Sequence, residues 1–353
     1  MKFGAKPSKL LSPLVPAYRA ALWLREKRLG TSAAPVRRLR FPVVSIGNLS
    51  TGGAGKTPLT IALAKALAAR GVQADVLSRG YGRQEAGAMR VAESGTAAEF
   101  GDEPLLIARE TGVGVYVAGQ RFDAGLLAEG DAITLAALDD TRVRVVHLLD
   151  DGFQHRQLAR DVDILLLDRN DIADSLLPAG NLREPLTAME RATVLAIPAD
   201  QPEVEQFVHE FVQSGRNPAA PRWSGPIWRL RRKMEIPALN GPVAAFCGIA
   251  RPEQFYAGLE AGGAHLALRK SFADHHAYTA EDVQRLAGEA RSAGAVALVT
   301  TKKDRVRLEA LTTAFPADLP LKTAGLRTEI EGEDEALKWL LGQLGVTAGQ
   351  PAL

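Results

Sequence analysis

A glycine-rich segment that ends in Lys-Thr is the strongest chemical signal in the chain. It lies between a strand predicted at residues 41–46 and a helix predicted at residues 57–70, which is the setting of a phosphate-binding loop. Glycines let backbone N–H groups point at phosphate oxygens, and the helix N-terminus adds its dipole. Lys56 would then reach the β/γ-phosphates, and Thr57 would ligate Mg²⁺. The candidate nucleotide-binding residues are Ser50, Thr51, Gly52, Gly53, Ala54, Gly55, Lys56 and Thr57.

Two carboxylates follow a second apolar strand. Residues 145–149 read Val-Val-His-Leu-Leu and lead directly into Asp150 and Asp151. In phosphate-loop enzymes such an acid holds Mg²⁺ or its water at the carboxyl edge of the sheet, where the loop also lies. Taken alone the pair could be turn or cap aspartates, but beside the loop we interpret them as acids of a metal region. Asp168, which follows a similar strand, is interpreted as structural.

Several other segments carry candidate polar groups with weaker local signals. Gly101-Asp-Glu-Pro104 precedes an apolar helical stretch, and by itself it is an ordinary helix start capped by Asp102 or Glu103. Arg121 and Arg183 each stand in a Gly/Pro context that suits a phosphate contact. These residues are therefore candidates that need support from elsewhere in the chain.

Two motifs lie further along the chain. Asp274-His275-His276 combines a carboxylate with two imidazoles, but it lacks the further ligands of a zinc site, so it indicates proton handling or hydrogen bonding. Thr301-Lys-Lys-Asp304 follows a strand predicted at residues 295–300 and matches the [NT]-K-x-D pattern that reads guanine in GTPases.

The order of the predicted elements indicates an α/β protein. Strands and helices alternate over residues 41–225, which predicts a P-loop NTPase-like kinase domain with a mostly parallel sheet and helices on both faces. A second, smaller α/β domain is predicted at residues 240–320. Residues 226–239 and 321–330 are predicted to pair as a two-strand linker, with an exposed strand at 228–233. Residues 331–353 are predicted to form a C-terminal helix and tail.

Composition excludes several classes of protein. With 353 residues, 46% hydrophobic and 24% charged, the chain is neither disordered nor fibrous. Its one cysteine, Cys247, forms no internal disulfide and no multi-thiolate metal site, which indicates a reducing compartment. Residues 1–40 contain ten of the 43 Lys/Arg against a single acid, Glu26, so a basic leader precedes an acidic body.

Residues 1–40 are predicted to be a basic amphipathic segment that associates with a membrane surface. Leucines and Trp23 supply the apolar contribution, while Pro13, Pro16 and Arg19 interrupt the stretch and exclude a transmembrane span. The alternative is a basic helix that packs on the body of the protein and covers a sheet edge.

The segments quoted so far belong to a longer ordered set that spans residues 40 to 305. The set comprises Ser45-Ile-Gly-Asn-Leu-Ser-Thr-Gly-Gly-Ala-Gly-Lys-Thr-Pro58, Ser78-Arg-Gly-Tyr-Gly82, Gly101-Asp-Glu-Pro104, Asp150-Asp-Gly-Phe-Gln-His-Arg156, Leu177-Pro-Ala-Gly-Asn-Leu-Arg-Glu-Pro185, Cys247-Gly-Ile-Ala-Arg-Pro252, Phe272-Ala-Asp-His275 and Thr301-Lys-Lys-Asp304. Together these segments resemble the tetraacyldisaccharide 4′-kinase family, the lipid A kinases of Gram-negative bacteria. Ser50 fits that family, which carries a hydroxyl residue where other phosphate loops have glycine.

The resemblance implies an activity and a location. The activity is transfer of the ATP γ-phosphate to the 4′-hydroxyl of a tetraacylated glucosamine disaccharide 1-phosphate in lipopolysaccharide biosynthesis, with ATP and Mg²⁺. The location is peripheral, at the cytoplasmic face of the bacterial inner membrane. The implied partners are the lipid substrate and the membrane surface; no nucleic-acid partner is implied, and a monomer is expected.

The resemblance also implies residue roles. Asp102 would be the general base with His275 as its partner from the second domain, and the choice of His275 over His276 rests on its place directly after Asp274. The other implied roles are phosphate and Mg²⁺ binding by Lys56 and Thr57, metal-region acids at Asp150 and Asp151, phosphate contacts by Arg121 and Arg183, and lining of the nucleotide region by Tyr81 and Gln154.

Two readings from other classes stay open at this point. A GTP-driven switch or metallochaperone is motivated by the phosphate loop together with Thr301-Lys-Lys-Asp304, although a metal carrier would present clustered thiolates or histidines. A nucleic-acid-binding ATPase would use the basic leader and would show steeply salt-dependent DNA affinity. The leucines interleaved in the leader favour lipid over nucleic acid.

Overall fold

One mixed sheet organises the molecule. The structure, a computed structural model, describes residues 9–53, 55–139, 144–214 and 223–346. Within these ranges twelve strands form a single hydrogen-bonded sheet in the order β10-β9-β11-β12-β8-β7-β6-β1-β5-β2-β4-β3. The strands are β1 (Val43–Asn48), β2 (Gln73–Ser78), β3 (Met89–Arg90), β4 (Val115–Val117), β5 (Val145–Asp150), β6 (Val162–Leu166), β7 (Val194–Pro198), β8 (Ile227–Glu235), β9 (Val243–Cys247), β10 (Leu266–Ser271), β11 (Ala297–Thr301) and β12 (Leu321–Ile330).

The sheet consists of two parallel blocks joined by one antiparallel pair. In the large block, β1 to β8, neighbouring strands are parallel except for the antiparallel edge pair β3 and β4. In the small block, β9 to β12, all neighbours are parallel. Strands β8 and β12 pair antiparallel, which confirms the predicted α/β fold with a two-strand connection. The blocks are nevertheless parts of one continuous sheet.

The register of β12 makes the carboxyl edges of the two blocks face each other. Its first residues pair with β11, up to Ala324, and its remaining residues pair with β8. Strand β8 in turn pairs with β7 only up to Leu230. Five residue pairs of β8 and β12 therefore form a free ribbon of roughly 15 Å between the blocks. Ligands of open α/β sheets bind beyond the carboxyl ends of strands, so the space beside this ribbon is the natural position for a site.

Helices cover both faces of both blocks. The α-helices are α1 (Val15–Arg28), α2 (Lys56–Ala68), α3 (Ala97–Phe100), α4 (Asp102–Thr111), α5 (Arg121–Asp139), α6 (Arg169–Ile172), α7 (Pro202–Ser214), α8 (Pro252–Ala261), α9 (Ala280–Ser292), α10 (Lys302–Arg307) and α11 (Glu333–Gln343), with 3₁₀ turns at Lys9–Leu14, Leu186–Arg191 and Glu309–Ala314. Helices α2 and α4 pack on one face of the large block, and α5 and α7 on the other. Helices α8 and α9 cover opposite faces of the small block.

Strand β1 is buried along its whole length, as expected for a central parallel strand. Its Gly47 allows the chain after β5 to pass directly over it. A Cβ added at Gly47 would lie 2.5 Å from the Cβ and 2.7 Å from the backbone nitrogen of Phe153. The absence of a side chain at Gly47 therefore sets the distance between the phosphate loop and the segment that begins with Asp150.

Strand β8 differs from its prediction. Residues 228–233 were expected to form an exposed strand, but Trp228 and Leu230 are 4% and 1% exposed. Their side chains are buried because they face the core of the large block, where residues of α2 and α11 cover them. The alternating arginines on the same strand stay at least partly accessible, which gave the sequence its exposed character.

Helix α1 packs against the large block on one side only. Val15, Tyr18 and Leu22 contact the core near α7, and no residue of α1 is fully buried. Trp23 and Leu24 lie on the outer side, 59% and 50% exposed. The alternative of a helix packed on the body thus describes one face of α1, and lipid contact by the other face stays a prediction. In the described ranges no helix combines the length and apolarity needed to cross a membrane.

Gly47→Ala and Gly130→Ala are expected to change stability in opposite directions. The first substitution forces a methyl group against backbone and should lower the free energy of unfolding by about 1–3 kcal/mol. Gly130, inside α5, has nothing within 4 Å of an added Cβ, so alanine should raise the free energy of unfolding by about 0.5–1 kcal/mol. Urea unfolding midpoints at equal m-values would measure both changes. A neutral Gly47→Ala would show that Phe153 moves freely.

Candidate active site

The phosphate loop follows β1 and ends at the first turn of α2. Gly52 and Gly55 adopt φ values of +100° and +89°, a backbone region in which a side chain would be strained. Asn48, the last residue of β1, donates from Nδ2 to the Ser50 hydroxyl at 3.0 Å. Lys56 donates from Nζ to Asn48 Oδ1 at 2.9 Å. The lysine therefore lies over the loop, where a phosphate-binding lysine is required.

Asp150 and Asp151 occupy the end of β5, the strand next to β1. Asp150 is 2% exposed and accepts a hydrogen bond from the Thr60 hydroxyl of α2 at 3.1 Å. Asp151 forms an ion pair with Lys56 at 3.4 Å. The structure thus brings together three residues that the sequence proposed separately, and Thr60 is a partner that the sequence analysis did not identify.

The two neighbouring carboxyl groups have opposite electrostatic surroundings. Burial, with the negative charges of Glu103 and Asp151, raises the pKa of Asp150 to about 7. Burial also acts to raise the pKa of Asp151, but the positive charges of Lys56 and Arg183 outweigh it and hold that pKa below its usual range. Asp151 is therefore a fixed negative charge at neutral pH, and Asp150 exchanges a proton there.

The two candidate phosphate arginines lie beside this pair. Arg183 donates from Nη1 and Nη2 to the two carboxylate oxygens of Asp151 at 3.2 and 3.0 Å, and from Nη2 to Asn48 Oδ1 at 2.7 Å. Arg121, the first residue of α5, is buried, and burial lowers its pKa to about 10. The positive charge of Arg121 also acts to lower the pKa of Asp151. Both arginines therefore stand within electrostatic range of the metal-region acids.

Asp102 and His275 meet across the space between the two blocks. Asp102 begins α4 and is 5% exposed, and His275 lies in the loop after β10 of the small block. His275 Nδ1 and Asp102 Oδ2 are 3.0 Å apart. His276 instead bonds to Asp282 Oδ2 at 2.9 Å and stacks on Phe272. The structure therefore places His275, and not His276, against the carboxylate.

The small block surrounds Asp102 with positive charge. Arg307 Nε lies 2.9 Å from Asp102 Oδ2, and Lys303 Nζ lies 3.9 Å from the same oxygen. Burial acts to raise the pKa of Asp102, but the His275 hydrogen bond and these two cations hold it below its usual range. Asp102 is an ionised carboxylate at neutral pH. The sequence analysis did not identify Lys303 or Arg307 as site residues.

Two site residues have a strained backbone. Of the residues other than glycine that the structure describes, Asp151 and His275 have positive φ, at +48° and +58°. Such conformations cost about 1–3 kcal/mol each and persist where the surroundings fix them. One residue comes from each block, which indicates that both loops are shaped by the requirements of the site.

The remaining predicted residues lie in or near the same space. Tyr81 is 64% exposed and its ring centroid lies 5.3 Å from that of His275. Gln154 donates from Nε2 to the Asn48 carbonyl oxygen at 2.8 Å. Thr51 donates its backbone N–H to the Asn181 carbonyl oxygen at 2.8 Å, and Thr57 begins α2 beside Lys56. Gly53 lies in the described loop, and Ala54 lies outside the described residues.

The Thr301-Lys-Lys-Asp304 motif has an internal function. Asp304 is fully buried and accepts hydrogen bonds from the Tyr278 hydroxyl at 2.8 Å and from the Gly248 backbone at 3.0 Å. Its carboxylate is therefore not available to a guanine base. Asp168 likewise caps α6 and forms an ion pair with Arg251 of the small block at 2.5 Å.

The residues at the end of β5 suit a magnesium ion. Mg²⁺ is usually held by one or two carboxylates together with waters and substrate phosphates. Asp150, Asp151 and the Thr57 hydroxyl supply that kind of donor set next to the phosphate loop. In the part of the chain that the structure describes, no group of three or more His, Cys, Asp or Glu forms a complete metal site. The donor set therefore fits an ion shared with a nucleotide.

The fold and the site define a P-loop kinase, with a phosphate loop on the large block and a polar group from the small block facing it. The family model for Tetraacyldisaccharide-1-P 4'-kinase matches residues 7–345. The chain belongs to the tetraacyldisaccharide 4′-kinase family.

Individual relatives agree with this assignment. The chain is 38% identical over 340 residues to the tetraacyldisaccharide 4'-kinase of Koribacter versatilis, covering 93% of this chain and 96% of that protein. It is 40% identical over 351 residues to that of an Anaeromyxobacter species, covering 95% and 90%. The crystal structure of LpxK from Aquifex aeolicus in complex with ATP superposes with a TM-score of 0.68 at 30% identity, covering 95% of this chain and 99% of that one.

Magnesium binding is expected to release a proton from Asp150. Because its pKa lies at about 7 in the absence of nucleotide and a carboxyl group must be ionised to bind the ion, binding to the nucleotide-free protein should release about half a proton at pH 7 and little at pH 8. The affinity for Mg²⁺ should therefore rise from pH 6 to pH 8. Calorimetry in two buffers of different ionisation enthalpy measures the release, and Asp150→Asn should abolish it. No release at pH 6 would contradict the assignment.

Proposed function

We propose that this protein transfers the γ-phosphate of ATP to the 4′-hydroxyl of a tetraacylated glucosamine disaccharide 1-phosphate, a step in the biosynthesis of lipid A. One observation carries the proposal beyond family membership. A buried, ionised carboxylate, Asp102, is held by His275 at the edge that faces the phosphate loop. A sugar hydroxyl that attacks the γ-phosphate needs such a base to take its proton. An enzyme that only hydrolyses a nucleotide does not need a base at the edge that faces the phosphate loop.

The phosphate-binding roles follow from charge and position. Residues 50–57 would cradle the nucleotide phosphates, with Lys56 directed at the β/γ-phosphates and Thr57 and the Asp150–Asp151 pair at the metal. Mg²⁺, when bound, neutralises developing charge on the transferring phosphoryl group. Arg183 and Arg121 supply positive charge on the same side, and Tyr81 and Gln154 border the nucleotide region. Such electrostatic preorganisation is usually the largest contribution to catalysis.

Asp102 would act as the general base. As the sugar oxygen forms its bond to the γ-phosphorus and the bond to ADP breaks, the hydroxyl proton passes to the Asp102 carboxylate. Glu103 raises the pKa of Asp150, so the start of α4 lies within electrostatic range of the metal region. That proximity supports a hydroxyl placed between Asp102 and the γ-phosphate.

The test is phosphate transfer from labelled ATP, with Mg²⁺, to tetraacyldisaccharide 1-phosphate in detergent micelles. Arms with GTP and without lipid run in parallel. A lipid product that is one phosphate heavier, formed from ATP, supports the proposal. Nucleotide hydrolysis without a phosphorylated lipid, or a preference for GTP, rejects it.

Asp102→Asn is expected to lower kcat by about 10²–10⁴-fold, because the hydroxyl loses its proton acceptor. The Kd for ATP should stay unchanged, since the phosphate loop is intact. Asp318→Asn, at an exposed surface ion pair with Arg291, is the control and should keep full activity. Steady-state kinetics and equilibrium ATP binding measure the two quantities. If Asp102→Asn lowered the affinity for ATP as much as it lowered kcat, Asp102 would instead be a structural helix cap.

We further propose that α1 places the enzyme on the cytoplasmic face of the inner membrane. Leu14, directly before α1, and Trp23 and Leu24 on its outer side are exposed. They lie next to basic residues such as Lys27, whose ammonium is 5.6 Å from the Trp23 ring centroid. Peripheral helices bind through this combination of buried apolar area and attraction to anionic lipids. The Tyr18 hydroxyl donates to the Arg183 carbonyl oxygen at 2.9 Å, so α1 adjoins the phosphate site.

Trp23→Glu should weaken binding to vesicles that contain anionic lipid by at least about tenfold, because it replaces apolar contact with like charge. Val296→Glu is a matched control, since Val296 is 45% exposed in the small block, directly before β11. Vesicle co-sedimentation measures both. Equal binding by the two variants and the unmodified protein would place lipid contact elsewhere.

A further inference from the structure

Lys303 occupies an unusual position at the centre of the site. Its ammonium donates to Glu103 Oε1 at 2.9 Å and lies 3.3 Å from His275 Nε2. The opposite ring nitrogen, His275 Nδ1, faces Asp102 Oδ2 at 3.0 Å. The imidazole is therefore held between a lysine and a carboxylate, with one polar partner at each nitrogen.

The chemistry of these partners fixes the protons on the ring. A carboxylate accepts only, so His275 Nδ1 must carry hydrogen and donate to Asp102. An ammonium donates only, so the contact at Nε2 requires a bare nitrogen with a lone pair. Lys303 is charged: burial acts to lower its pKa, but Glu103, Asp102 and Asp274 outweigh burial and raise it. Nδ1 of His275 is therefore the donor to Asp102, and Nε2 is the acceptor from Lys303.

We infer that Lys303 is a positioning residue that keeps His275 neutral, with its proton on Nδ1, so that His275 orients Asp102 and does not carry the substrate proton onward. This inference deepens the proposed function and rests on it for its catalytic meaning. A second proton on Nε2 would place two positive charges 3.3 Å apart.

Other charges around His275 act in both directions, which gives Lys303 its importance. Asp274 in its own loop lies 4.0 Å from Nε2 and favours a positive ring, as Asp102 does. The groups that face the imidazole are Asp102 and Glu103 from α4, Lys303 and Arg307 from α10, Asp274 from its own loop and the Tyr81 ring from the loop after β2. The three carboxylates already outnumber the two cations, and without Lys303 only Arg307 would oppose them, so the ring would take up a proton.

The first experiment determines which nitrogens of the His275 ring carry hydrogen. Histidine-selective ¹⁵N labelling and long-range proton–nitrogen spectra report which ring nitrogens carry hydrogen, and His275→Gln assigns the signal among the six histidines of the chain. In the unmodified protein the His275 signals should show hydrogen on Nδ1 and none on Nε2. In Lys303→Met, hydrogen should appear on Nε2 under conditions in which the unmodified protein shows none there. This readout does not depend on kinase activity.

Two further variants separate this role from a simple ion pair between the blocks. Lys302→Met removes the neighbouring lysine, which pairs with Glu110 at 2.9 Å and Glu235 at 3.3 Å across the same interface without touching His275. It should leave the His275 spectrum and the pH profile unchanged. Lys303→Arg keeps a donor-only cation and should preserve the neutral ring, which also covers the case that Lys303→Met folds poorly.

Kinetics supply the second readout. In Lys303→Met, kcat/KM should fall under the conditions in which the spectra show hydrogen on Nε2. The KM for ATP should not change. An Nε2 proton in the unmodified protein, or a His275 spectrum unaffected by Lys303→Met, would overturn the inference. If the spectra agree and no lipid is phosphorylated, the proposed function fails and the positioning of His275 stands.

Discussion

Antiparallel pairing of β8 with β12 is the constraint on which the rest of the molecule depends. Two parallel blocks joined in the parallel sense would direct their carboxyl edges the same way, and the loops of one block could not reach those of the other. The antiparallel ribbon turns the edges toward each other. The phosphate loop of one block and the histidine loop of the other therefore share one space, and Arg251 pairs with Asp168 across it.

Charge then decides how each group in that space behaves. Cations and carboxylates pair along this space: Arg183 and Lys56 with Asp151, Lys303 with Glu103, and Arg307 with Asp102. Because these groups are buried or partly buried, small differences in neighbours separate their protonation states. Asp151 and Asp102 stay ionised, and Asp150 titrates near neutrality. The strained backbones of Asp151 and His275 show that packing holds these groups in place.

Strands and helices with many large apolar residues could be predicted from the sequence, and those with few could not. Strands β1 and β5 are uninterrupted runs of buried residues, and α2 follows a glycine-rich loop and has leucines on one face. The sequence pattern therefore predicted all three elements at the positions where the structure has them. Helices α5 and α9 escaped prediction because α5 buries mainly alanine and α9 consists mostly of polar residues. The short strand β4 escaped prediction because three residues are too few to show a periodic pattern.

The sequence by itself determined the phosphate loop, the acids at the end of β5 and the family, since each depends on residues close together in the chain. Only the tertiary structure decided which histidine meets Asp102, and that Lys303 and Arg307 complete its surroundings. Those contacts join residues about 170 to 205 positions apart. They depend on the register of β12 against β8, which is fixed only when these two segments, distant in the chain, pair and bury their apolar faces together.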